Sequence, residues 1–130
     1  MTPSQLRKLC GYWQTLLRLN DWEVECKYAR FHEMPENCGM CTYSLDSKEA
    51  LIRILHPADY DPAAPFPSLH DIERILVHEL LHLNLAMLVR HLPDKDTIHM
   101  EQLIETISYT LVTLRRWQQH KNSSKSSSSK

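Results

Sequence analysis

The sequence predicts an α+β domain in which helices cover one face of a small antiparallel three-stranded sheet. Three observations carry that prediction. Leu6, Leu9, Trp13, Leu16, Leu17 and Leu19 recur at helical spacing across residues 4–19. Residues 22–31 alternate apolar and polar side chains for most of their length, and two further short strand-like segments, 39–45 and 50–56, flank Asp46-Ser47-Lys48-Glu49 as a hairpin would. Two long helical stretches, about 69–91 and 97–118, follow. Strands and helices grouped in blocks, rather than alternating, argue for α+β over a parallel α/β sheet.

Punctuation separates these elements. Asn20-Asp21 breaks the first helix from the first strand, and Pro35-Glu36-Asn37 turns the chain toward the second. Leu51, Ile52, Ile54 and Leu55 make the third strand strongly apolar. Pro57, Pro62, Pro65 and Pro67 fall within eleven residues, a density that forbids regular structure and predicts a loop. Ser68, with Asp71 three residues on, resembles a capping box that opens the second helix, and Pro93 closes it. In the last helix Leu103, Ile107, Leu111 and Leu114 form the expected core stripe, and Glu101, Glu105 and Ser108 a second stripe beside it. One domain is expected over residues 4–119, with the low-complexity Ser/Lys segment 120–130 a disordered tail.

Composition excludes several functions. Hydrophobic residues make up 42% of the 130 and charged residues 24%, as in ordinary globular proteins. No apolar run approaches the roughly 20 residues that span a bilayer, and the N-terminus lacks the uninterrupted apolar core of a secretory signal, so a cytoplasmic protein without membrane contact is expected. A net charge of −1 without a basic stripe argues against nucleic acid as a partner. With only Gly11 and Gly39, no glycine-rich phosphate loop can be written. Cys10, Cys26, Cys38 and Cys41 are expected to be reduced in that compartment. A structural zinc held by all four is conceivable, but only Cys38-Gly-Met-Cys41 forms a knuckle, and small buried side chains are the plainer reading.

The chemistry is concentrated in residues 75–89, where eleven of fifteen residues are apolar and the polar ones are His78, Glu79, His82 and Asn84. A helix apolar nearly all round is buried. Two imidazoles and a carboxylate in such a helix cost several kcal/mol unless satisfied, and a bound metal satisfies them. His78 and His82, four residues apart, share one face, so their nitrogens can converge on one ion at about 2.0–2.1 Å. Glu79 lies about 100° around the helix, too far to ligate easily but able to reach a water on that ion. That is the His-Glu-x-x-His arrangement of zinc proteases. The competing reading is a pair of hydrogen-bonded core histidines. A catalytic zinc needs a third protein ligand, and His91, His99, Glu101 and Glu105 lie downstream. His91 is excluded, being about 13 Å further along the same helix at roughly 1.5 Å per residue. Glu101 and Glu105 share one face of the last helix, where a merely solvated face has the same pattern.

Here the chain resembles the gluzincin zinc metallopeptidases, on His78-Glu79-Leu80-Leu81-His82 and on Glu101-Gln102-Leu103-Ile104-Glu105, with eighteen residues between His82 and Glu101. Over roughly residues 4–118 it is also similar to the very small HExxH proteins of phages and mobile elements. The resemblance implies a minimal zincin-like fold, Zn²⁺ as cofactor, Glu101 as third ligand and Glu105 as the outer partner that orients a ligand imidazole, a place usually held by a shorter Asp or Asn. It implies a zinc-dependent peptidase, endopeptidase rather than exopeptidase, with Glu79 as general base for a zinc-activated water and a peptide or protein as substrate. Tyr60, His99 and Tyr109 are candidates for stabilising the oxyanion. Residues Leu51–Leu55 are either an edge along which substrate pairs or a simple core strand. A monomer is expected. Two alternatives stand beside the peptidase: a catalytically weak or inactive, metal-stabilised binding module of a phage or mobile element, and a hydrolase acting on something other than peptide bonds.

Overall fold

The computed structural model describes residues 1–63 and 70–128. The fold is α+β: a three-stranded mixed sheet with four helices among the described residues. Helix α1, Pro3–Leu16, opens with a capping box: Thr2 Oγ1 accepts from the Gln5 amide, and the Thr2 amide donates to Gln5 Oε1. It buries Leu6, Cys10 and Trp13, one face at spacings of four and three. Gln14 Nε2 then donates to the carbonyls of Leu19 and Trp22, fixing the turn into β1, Glu23–Ala29. Strands β2, Gly39–Ser44, and β3, Glu49–Leu55, form the expected hairpin.

The sheet order is β1-β3-β2, with β1 parallel to β3 and β2 antiparallel to it. The sheet is therefore mixed, not wholly antiparallel as the sequence predicts. The reason lies in which strand takes the centre. β3 buries Ala50, Ile52, Ile54 and Leu55, so it gains most from neighbours on both sides. Inserting it between β1 and β2 makes its pairing with β1 parallel. This also corrects the expectation that Leu51–Leu55 could be a sheet edge: β3 is the central strand, and β2 and β1 carry the free edges.

Helix α1 packs on β1, and helix α2, Ile72–Asn84, lies across β2 and β3 on the same face of the sheet. Leu76, Val77, Leu80, Leu81 and Leu83 bury into the joint core. Asp71, not Ser68, is the residue whose side chain caps α2, accepting from the Arg74 amide; Ser68, Pro65, Pro67 and the expected helix start at residue 69 lie outside the described residues. The long helix expected to run to 91 breaks at Leu85, and a short α3, Ala86–Val89, follows. Asn84, the remaining polar residue of the apolar stretch, donates to the Leu17 carbonyl and ties the end of α2 to the end of α1. His91 lies exposed in the connection beyond α3.

The last helix, α4, Thr97–Ser128, packs against α2. Its contacts run in opposite order along the two helices, Asp71 to Arg116 at one end and His82 to Glu101 at the other, so the pair is antiparallel. Its buried residues are Ile104, Ser108 and Val112, with Ile107 and Leu111 partly covered; Leu103 and Leu114, expected in the core stripe, are exposed. The helix is thus rotated about one residue from that expectation, which is the rotation that turns Glu101 and Glu105 onto α2. The helix also continues into the Ser/Lys segment as far as Ser128, where composition predicts disorder. A Ser added to an existing helix costs only about half a kcal/mol relative to Ala, so propagation from a packed helix tolerates it. Among the described residues no helix is long and apolar enough to cross a membrane.

Candidate metal centre

On α2, His78 and His82 stand one turn apart with ring centroids 5.2 Å apart. The Glu101 carboxylate on α4 spans them: Oε2 is 3.1 Å from His78 Nε2 and Oε1 is 3.1 Å from His82 Nε2. The other ring nitrogen of His78, Nδ1, is 2.8 Å from Glu105 Oε2. An ionised carboxylate can only accept, so Nδ1 donates to Glu105, and Nε2 is turned toward Glu101 and His82. Two imidazole nitrogens and a carboxylate converging at this distance are held either by protons on the nitrogens or by a shared cation. Ligand atoms about 2.0–2.1 Å from a tetrahedral ion stand roughly 3.3 Å from each other, close to the two separations from Glu101, so these side chains are spaced to hold a metal ion.

Glu79 comes from the same helix. Ligand atoms of His78, Glu79 and His82 all lie within 4.8 Å of one another, a group that can hold a metal ion. The residue is 8% exposed, and its carboxylate makes no hydrogen bond or ion pair within the described chain. Burial pushes its pKa up to about 7; His78 acts against the rise and the Glu101 and Glu105 carboxylates add to it. Burial likewise lowers the pKa of His82, which favours the neutral imidazole that a metal requires.

A cavity of about 220 Å³ opens beside His78 and Glu79, lined also by Cys38, Gly39, Arg74, Ile75 and Glu105. Two of these lining residues were not legible as functional in the sequence. Arg74, one turn before His78, is the cation of the cavity wall. Gly39 begins β2 where the strand presses on α2: a Cβ there would lie 2.5 Å from Ile75 Cγ2 and 3.1 Å from Glu79 Oε1. The only signal for it was that one of just two glycines falls inside a strand. Gly39→Ala is expected to push Ile75 aside and crowd Glu79, lowering any activity, while thermal unfolding registers about 1–3 kcal/mol of overpacking. Equal activity in the alanine variant would show that Glu79 does not depend on that close approach.

The three candidate oxyanion residues lie elsewhere. The Tyr60 ring stacks on His70 with its hydroxyl buried and unpaired, its pKa raised to about 12 by burial. His99 is exposed in the first turn of α4. The Tyr109 ring lies under the Arg74 guanidinium. None of the three lines the cavity beside Glu79; Arg74 does. The cysteines do not gather into a site among the described residues: Cys10 and Cys26 hydrogen-bond to each other in the core, Cys38 lines the cavity, and burial pushes the Cys41 thiol up to about 12 near Glu79. No protein-family model, curated protein or solved structure matches this chain. The functional reading therefore rests on the chemistry of these side chains.

Proposed function

We propose that the chain is a metal-dependent peptidase of gluzincin type in minimal form, with His78, His82 and Glu101 holding one Zn²⁺ and Glu79 as general base. The observation that carries this reading is the Glu101 carboxylate spanning the two Nε2 atoms while Glu105 takes the proton of His78 Nδ1. When bound, the ion supplies Lewis acidity, which lowers the pKa of a water toward about 7 and polarises a carbonyl. Glu79 takes the water's proton on a carboxylate oxygen as the scissile carbonyl is attacked, then gives it to the leaving amine. Glu105 holds the His78 ring so that Nε2 stays directed at the ion. An extended peptide can pair along the free edge of β2, whose Gly39 end lies against Glu79; an open edge lets the substrate continue in both directions, as an endopeptidase requires.

A metal-stabilised binding module that had lost catalysis would keep the three ligands, but it has no use for a buried, unpaired carboxylate one residue after the first histidine. Leaving such a group in a core costs on the order of several kcal/mol. The test is a peptide-library digest followed by mass spectrometry, with the Zn²⁺-loaded protein beside a chelator-treated sample. Cleavage confined to the loaded protein is expected. A loaded protein that cleaves no peptide would favour the binding module.

A further inference from the structure

We infer that Arg74 is a positioning residue of the metal centre, acting through Glu105 on His78; this rests on the metal-binding reading above. Arg74 precedes His78 by one turn on the same face of α2. Its side chain is 20% exposed, and Nη2 forms an ion pair with Glu105 Oε1 at 2.8 Å. The other oxygen of that carboxylate, Oε2, accepts from His78 Nδ1 at 2.8 Å. Each oxygen of Glu105 thus has its own partner. The guanidinium carbon sits 4.6 Å over the Tyr109 ring, one further turn along α4, which limits the conformations open to the arginine.

This chain of contacts accounts for two features of the sequence. Glu105 is 48% exposed, and a glutamate on a helix surface ordinarily samples several rotamers. Pinning one oxygen to a cation that is itself held on an aromatic face leaves the other fixed at Nδ1. The His78 ring plane is then set from behind, with Nε2 toward Glu101 and His82. The requirement also suits a glutamate where the resembling peptidases carry Asp or Asn: its extra methylene extends the reach of a carboxylate that meets His78 with one oxygen and Arg74 with the other.

The test is Zn²⁺ affinity of the full chain, measured by competition with a chromophoric chelator, with the visible absorption of the Co²⁺-loaded protein as a report on ligand geometry. Arg74→Gln is expected to weaken Zn²⁺ binding about tenfold or more, as loss of outer partners of ligand histidines does, and to alter the Co²⁺ spectrum. Arg74→Lys, which keeps a cation within reach of Oε1, should recover most of the affinity. In a Glu105→Gln background Arg74→Gln should add little, since the path through Glu105 is already cut. Wild-type affinity and spectrum in Arg74→Gln would overturn the inference, as would a loss of equal size in the Glu105→Gln background. Should Arg74→Gln fail to fold, Tyr109→Leu, which frees the guanidinium without removing it, is expected to give a smaller loss in the same direction, and no loss would overturn the inference. A wild-type chain that binds no Zn²⁺ overturns the metal-binding reading itself, and this one with it.

Discussion

Glu79→Gln is expected to lower the proposed peptide hydrolysis by about two to four orders of magnitude and to leave metal content at the wild-type level. The first half follows from role: a positioned general base contributes roughly 10²–10⁴-fold, and an amide of the same shape cannot take the proton. The second half follows from placement. The Nε2 atoms of His78 and His82 face the Glu101 carboxylate at 3.1 Å, so the proposed ligands are complete without Glu79. Because Glu79 is buried without a partner, glutamine in its place removes the charge that burial disfavours, and the variant should be no less stable than the parent. Activity assays, elemental analysis and thermal unfolding of the two proteins check the three statements together. Full activity in Glu79→Gln would refute the assignment of the base. Lost activity with lost metal would instead make Glu79 a ligand.

The largest effect on stability is expected at the opposite end of the α2–α4 contact. Glu73 is 7% exposed. Its Oε2 accepts from Trp13 Nε1 on α1 and from Arg115 Nη1 on α4, both at 2.8 Å, while Arg116 Nε lies 3.4 Å from Oε1. One carboxylate therefore joins three helices. Glu73→Leu leaves the indole N–H and the Arg115 guanidinium without an acceptor, and removing one partner of a buried pair costs about 3–5 kcal/mol. Arg115 retains some solvent access, so the lower end of that range, near 3 kcal/mol, is expected from urea unfolding. Arg116→Ala should cost about 1 kcal/mol or less: its side chain is 49% exposed, and ion pairs in that setting contribute little. A reversed order, with Arg116 the more costly, would mean that the Asp71–Arg116 pair, not Glu73, fastens α4 to the body.

Those two ends of one helix differ in how far the sequence revealed them. The His78-Glu79-His82 group was legible because a buried apolar helix leaves its few polar residues conspicuous, and 3.6 residues per turn puts the two imidazoles together. Glu101 and Glu105 were legible only as a pair on one face. Helical spacing does not say which face meets α2, and exposed apolar residues such as Leu103 and Leu114 blurred the stripe. Glu73 and Arg74 look like ordinary charges at the start of a helix, and their partners lie 31 to 60 residues away in Trp13, Arg115, Arg116 and Glu105. The hairpin of β2 and β3 was readable from its local turn. The direction of β1 was not, since a period of two reports which side chains are buried and carries no sign of strand direction. Its parallel pairing follows from β3 taking the centre, a consequence of the whole sheet's burial.

The central claim is that two imidazoles of α2 and one carboxylate of α4 share a single divalent ion. Elemental analysis of the purified full chain, reconstituted with Zn²⁺ and freed of excess metal, addresses it most directly when wild type is set beside His78→Ala and Glu101→Ala. About one zinc ion per chain is predicted for the wild type, falling to a small fraction in both variants. A wild type without stoichiometric metal, or a Glu101→Ala variant that keeps its full complement, would contradict it.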